Sequence, residues 1–157
     1  MLDLNQSLRG SVIPGLVAGL ATFAMISWRG QKDTRSAVAP INATSHILWG
    51  DEAAANTHIT LRHTLPGLLI NAGATIGWSV IDQLMVRTLS RRKGALANMM
   101  GGVFTALLAY LVDYHLVPSR LTPGWEKRIS NHSLYLSLGT MGLALGIGSY
   151  WAQQRSH

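Results

Sequence analysis

The sequence lacks cysteine and has few charged residues. Without cysteine the chain has no disulfide bond, catalytic thiol or thiolate metal ligand. Lysine, arginine, aspartate and glutamate make up only 13% of the 157 residues, whereas 48% are hydrophobic. This balance excludes a disordered segment or a nucleic-acid-binding domain as the first interpretation. Since the net charge of +6 is spread over several connections, contact with anionic lipid headgroups explains it better than nucleic acid does.

Formal charge is absent from four long windows, at residues 10–28, 64–81, 94–112 and 133–154. At about 1.5 Å per residue, a helix of this length crosses the roughly 30 Å hydrocarbon core of a bilayer. A soluble bundle would carry charge on the solvent face of each helix, and these windows do not. We therefore predict an all-helical integral membrane bundle, a single transmembrane domain over residues 1–157 with four spans.

The connection between the first two windows is unusually long, from Arg29 to His63. Within it, residues 36–50 are free of charge but too short and too polar for an ordinary span. We expect a re-entrant or interfacial segment there. In the alternative, this segment crosses as well, and the termini lie on opposite sides.

The orientation follows only weakly from the basic residues. With four spans, six lysines and arginines lie on the side of the termini and seven on the other side. The cluster from Arg87 to Lys93 favours cytoplasmic termini.

Small residues recur at four-residue spacing in each window. Such spacing lets helix backbones approach closely in lipid, where no hydrophobic driving force draws helices together. We expect a tight bundle, and a tendency to self-associate, from the pairs Gly15/Gly19, Gly73/Gly77 and Gly142/Gly146.

Three ionisable residues, Asp82, Asp113 and His115, lie near the ends of the predicted spans. An ionised group at membrane depth is costly, so each is a candidate for a proton or cation site. The alternative is a structural anchor, for which Arg87 or Arg120 is an available partner. The anchor interpretation is the one favoured by their position.

Three histidines, His46, His58 and His63, fall in the long first connection. Their spacing matches no known metal- or haem-binding motif, so we predict no cofactor and no metal site. Because the sequence also lacks hydrolase and nucleotide-binding motifs, we expect that the protein is not an enzyme.

Two stretches resemble segments of small bacterial multi-pass membrane proteins, a group that carries no assigned activity. The first is PINATSH at residues 40–46 with Trp49-Gly50. The second is VDY at residues 112–114, with Val117-Pro118 and RLTPGWE at residues 120–126. The resemblance implies a bacterial inner-membrane location. It singles out four polar residues as the first to mutate, Asn42, His46, Asp113 and Arg120.

From these features we predict a non-enzymatic structural or accessory protein of the inner membrane. Its partners would be the lipid bilayer and either a second copy of the chain or a larger membrane complex. The alternative is a small oligomeric transporter or channel for an ion or small solute, with Asn42 and His46 on the re-entrant segment and Asp113 near one mouth. A haem- or metal-binding redox subunit is a third and weaker alternative.

Overall fold

The computed structural model describes residues 4–88 and 94–155, and every regular element in these residues is a helix. The prediction of an all-helical chain is confirmed. In chain order the α-helices are α1 (Leu4–Thr34), α2 (Ala39–Thr44), α3 (His46–Trp49), α4 (Asp51–Ala55), α5 (Thr64–Thr88), α6 (Ala95–Leu111) and α7 (Asn131–Gln154). A π-helical turn, Val112–Leu116, extends α6, and two 3₁₀ turns, Ser119–Leu121 and Trp125–Lys127, precede α7.

Within the described residues, three helices are long and apolar enough to cross a membrane. They cover Leu8–Thr34, Thr64–Val86 and Ala95–Leu116, and correspond to the first three predicted windows. The helix over the fourth window, α7, has 24 residues but does not reach the same mean hydropathy. Glycine and serine lower the mean hydropathy of α7, and most of these residues, such as Gly142, Gly146 and Ser149, are buried inside the bundle.

The helix α7 lies antiparallel to α1 along most of its length. Near its start, Ser133 accepts a hydrogen bond from Arg29 Nε at 2.8 Å, and its hydroxyl donates to Asp33 at 2.5 Å. Near its end, the backbone at Gly148 lies against Pro14 so closely that a Cβ atom would overlap it. The two helices therefore run side by side in opposite directions from Pro14 to Asp33 of α1.

The helix α6 packs on α7 through glycine. A Cβ on Gly102 would overlap the backbone of Gly142 and Gly146, and the two latter glycines in turn lie against the α6 backbone. On the other side of the bundle, Gly15 of α1 lies against Ile76 of α5. Close packing of this kind maximises dispersion contacts between backbones.

The outer surface of the bundle is strongly apolar. Large side chains such as Leu20, Leu96 and Met100 are 71%, 72% and 66% exposed. On α6 the exposed residues recur every three or four positions as a stripe, at Leu96, Met100, Phe104, Leu107 and Leu111. In water such a surface would drive aggregation, whereas hydrocarbon solvates it.

One end of the bundle is closed by two connections, residues 36–63 and 112–130, which we call the cap. The segment 36–50 forms α2 and α3, of six and four residues, which span only about 9 and 6 Å. Neither of these helices is long enough to cross a bilayer. All six residues of α2 are buried inside the protein. The basic cluster from Arg87 to Lys93 lies almost entirely outside the described residues.

Candidate functional site

The cap brings together the two stretches that carry the resemblance. The imidazole of His46 lies between two backbone carbonyls, with Nδ1 at 2.9 Å from Ala43 O and Nε2 at 3.2 Å from Ser119 O. Arg120 Nε donates to Ile47 O at 3.1 Å, which is a second bond between the stretches. Residues 40–50 and 112–126 therefore form one packed unit.

Gly124 shows why that unit requires glycine. Its φ of 81° lies in the left-handed region, and a Cβ there would overlap Ala43 O and the His46 ring. Any other residue at this position would push the second stretch away from the first.

Asn42 holds the first connection closed. Its amide donates to Asn56 O at 3.0 Å and to His58 O at 2.8 Å, while Oδ1 accepts from Thr64 Oγ1 at 2.7 Å. The side chain is fully buried, so these three bonds satisfy a group that would otherwise be costly. Asn42 therefore stabilises the fold, and its side chain is not available to bind a ligand.

Polar residues form one face along α5, spaced three or four positions apart, and this face is turned into the protein. They are Asn71, Thr75, Trp78, Ser79, Asp82 and Gln83. Of these residues, Thr75, Ser79, Asp82 and Gln83 are buried while the opposite face is exposed. A helix that is apolar outside and polar inside is typical of a segment in a membrane with a functional or strongly specified interior.

Asp82 lies at the centre of a buried network. Its Oδ1 accepts from Thr105 Oγ1 and its Oδ2 from Ser149 Oγ, both at 2.8 Å, and Gln83 Nε2 donates to the same serine at 2.8 Å. The side chain is completely buried. These bonds join α5, α6 and α7 at one level of the bundle, so the carboxylate acts as an interhelical anchor.

Asp113 has a different environment, in the π-helical turn at the end of α6. There Val117 N donates to Val112 O at 3.0 Å, five residues back, and Pro118 prevents the helix from continuing. Such wide turns occur frequently at functional sites. Asp113 is half-buried and accepts a hydrogen bond from Trp78 Nε1 at 3.1 Å.

Asp113 lines a cavity of about 120 Å³ beneath the cap. The wall includes Trp78, Asn71 and Trp125, and most of the remainder is apolar. Asn71 is held in place at both ends of its amide, since it donates to Thr44 at 3.0 Å and accepts from Trp125 Nε1 at 3.2 Å. The cavity is therefore a preformed space between the helices and the cap, with a carboxylate in its wall.

The remaining predicted site residues lie elsewhere. His115 is exposed, and its ring meets the edge of Tyr110 at a centroid distance of 4.9 Å. Arg120 is bonded to carbonyls of the cap and does not line the cavity with Asp113. Across residues 4–88 and 94–155, no three histidine, aspartate or glutamate side chains converge in a way that would hold a metal ion.

A surface ion pair closes the cap on its outer side. Lys127 Nζ donates to Asp51 Oδ1 at 2.9 Å, and this hydrogen bond together with the lysine charge lowers the pKa of Asp51 below its ordinary value of 3.8. The carboxylate is fully exposed, so the pair contributes little to stability.

Sequence reasoning found Asp113 but not its neighbours. Two of these neighbours, Asn71 and Trp125, line the cavity together with Asp113. The available signal was the spacing of polar residues on α5, which places Asn71, Trp78 and Asp82 on one side of a helix.

The fold and the site define a helical protein in which three of the described helices are long and apolar enough to cross a membrane, and in which a cap covers a cavity with the Asp113 carboxylate in its wall. No protein-family model, curated protein or solved structure matches the chain.

Proposed function

We propose that the protein is a non-enzymatic, four-span protein of the bacterial inner membrane that packs against a second copy of itself. The fourth span is α7. It lies antiparallel to α1 from Ser133 to Gly148, so it crosses whatever thickness α1 crosses. The cap then lies at one membrane surface, with α2 as a re-entrant element covered by protein.

The observation that carries self-association is the position of Gly73 and Gly77. A Cβ on either would meet nothing within 4 Å, and both are exposed, whereas Gly15, Gly142 and Gly146 pack inside the bundle. Beside this pair, an apolar cleft of about 520 Å³ lies between α1 and α5. Two small residues four apart, next to a cleft that side chains can enter, are the surface that helix association in lipid uses.

A second copy is the partner that this surface fits best. Copies in one membrane share an orientation, so a two-fold axis along the membrane normal brings the same face of α5 to itself. On that face, Leu69 lies one turn from Gly73 and is 63% exposed. A larger membrane complex that covers the same face is the competing outcome of the experiment below.

The chain has no cysteine, so single cysteines report proximity directly. We expect Leu69→Cys to form a disulfide-linked dimer in oxidised membranes, and the matched control Leu107→Cys, 58% exposed on α6, to remain monomeric. Adding Gly73→Ile and Gly77→Ile should abolish the cross-link, whereas Gly139→Ile, also without a neighbour within 4 Å, should leave it intact. A Leu69→Cys protein that never cross-links would refute self-association through this face.

Transport of a small ion or solute is a second candidate, favoured by the Asp113 cavity. An ionisable group that lines a cavity at the edge of a membrane span is the usual mark of a solute pathway. Flux in proteoliposomes should fall with Asp113→Asn and persist with Asp51→Asn. Equal flux in the two variants would remove this candidate and leave self-association unaffected.

A further inference from the structure

The charge in the cavity wall determines which ligands the cavity favours. Asp113 is the single charged side chain among the described residues that line the cavity, so an anion would be repelled and a cation attracted. The low-dielectric surroundings strengthen this preference, because apolar side chains such as Ile70, Leu138 and Met141 form much of the wall.

The hydrogen bonds leave room for that cation. Trp78 donates to Asp113 Oδ2, and within the described part of the chain no donor reaches Oδ1. Asp82 differs, because each of its oxygens accepts from a hydroxyl. One oxygen of Asp113 is therefore available to a ligand, on a carboxylate whose orientation is already fixed by the indole.

The volume of the cavity and the two tryptophans in its wall further restrict the kind of cation that could bind. A volume of about 120 Å³ holds roughly four water molecules or one compact organic ion. Two indole rings, those of Trp78 and Trp125, line it, and indole faces attract cations most strongly when water is excluded. A bare metal ion would require several oxygen ligands, which this mostly apolar wall does not provide.

We propose that the cavity beneath the cap binds a small alkylammonium ion, with Asp113 as its counter-ion and the Trp78 and Trp125 rings as its apolar walls. The inference uses the site on which the transport candidate rests, but it concerns binding alone. A protein that binds without flux refutes transport and leaves the site standing.

The experiment titrates the purified full chain in nanodiscs with methylammonium chloride and follows tryptophan fluorescence. Three exposed tryptophans are first replaced by phenylalanine, at Trp28, Trp49 and Trp151, so that the signal comes from Trp78 and Trp125. We expect a saturable change that equal concentrations of sodium chloride do not produce. A response to sodium chloride of the same size, or no saturable response, would overturn the proposal.

Variants test the assigned roles. Asp113→Asn should weaken methylammonium binding by about tenfold or more, since it removes the counter-ion and keeps the shape, whereas the surface control Asp51→Asn should bind like the parent. Trp78→Phe keeps the carboxylate and removes the indole, so it should weaken binding less, and it serves as the test if Asp113→Asn does not fold. Unchanged affinity in both cavity variants would show that the ion binds elsewhere.

Discussion

Two aspartates, Asp82 within α5 and Asp113 in the π-helical turn that extends α6, have opposite surroundings. Asp82 is completely buried and accepts hydroxyl hydrogen bonds on both oxygens, from α6 and from α7. Asp113 is half-buried, lines a cavity and accepts a hydrogen bond from an indole. The comparison separates two uses of a carboxylate in an apolar bundle: one joins helices, and the other leaves an oxygen facing open space.

The difference originates in the backbone around each residue. Asp82 lies in the regular part of α5, where Thr105 of α6 and Ser149 of α7 both come within hydrogen-bond distance. Asp113 lies where α6 widens into a π-helical turn, so its side chain is directed beneath the cap. Substitutions at the two sites should therefore affect different properties.

The largest expected effect is on stability at Asp82. Asp82→Ala removes the acceptor of the Ser149 hydroxyl, leaves the Thr105 hydroxyl with only Gly101 O at 3.1 Å, and opens a small void. We therefore expect the free energy of unfolding to fall by about 2–4 kcal/mol. Unfolding in mixed micelles with increasing dodecyl sulfate, followed by circular dichroism, measures this change. A variant as stable as the parent would mean that Asp82 does not hold the helices together.

A smaller effect on stability is expected at Thr105 and Ser149, the two hydroxyl residues that donate to Asp82. Thr105→Val and Ser149→Ala should each lower the free energy of unfolding by about 1 kcal/mol, and the double variant should cost less than the sum because both bonds depend on the same carboxylate. The same micelle unfolding assay completes the double-mutant cycle. Strict additivity would show that the two hydroxyls act independently.

At Asp113 the stability change should be small. Asp113→Asn keeps the shape of the side chain and an oxygen to accept from Trp78, so we expect a change in the free energy of unfolding below about 1 kcal/mol. The variant should unfold close to the parent in micelles while its affinity for methylammonium falls by about tenfold or more. A loss of stability as large as that of Asp82→Ala would show that Asp113 also holds the helices together, and the two aspartates would then have the same role.

The smallest effect on stability is expected at Asp51, an exposed carboxylate that serves as a reference for Asp82 and Asp113. Its pKa is lowered by the Lys127 hydrogen bond and charge, so Lys127→Ala should raise that pKa towards 3.8, as read by carbon NMR titration. A depressed pKa stabilises the fold above the unfolded-state pKa, and the contribution is lost as pH falls through the folded-state value. Because the group is exposed, we expect no measurable change in unfolding at neutral pH.

The helices were largely predictable because charge marks where hydrocarbon-facing segments end. The windows at 10–28 and 64–81 correspond to longer helices, Leu4–Thr34 and Thr64–Thr88, because helices continue past the first charged residue. The same rule misplaced Asp82. It follows its window directly and so was assigned to a span end, but α5 continues for six more residues, about 9 Å.

The site was less predictable, because it depends on how helices are rotated against one another. Trp78 and Asp113 are 35 residues apart, and their bond requires α5 and the π-helical turn to face each other. No local pattern encodes that rotation. The burial of α2 was equally hidden, because the turn Trp125–Lys127, much later in the chain, forms part of its cover.

The junction of His46 with Ser119 has a consequence for biosynthesis. Seventy-three residues separate these partners, and a ribosome adds about 5–20 residues per second. The stretch around His46 therefore emerges roughly 4–15 seconds before the stretch around Ser119 that packs against it. Throughout that delay the His46 ring lacks its contact with Ser119 O, whereas Asn42 can already bond to Asn56, His58 and Thr64. The earlier connection can therefore close on itself before the later one docks against it.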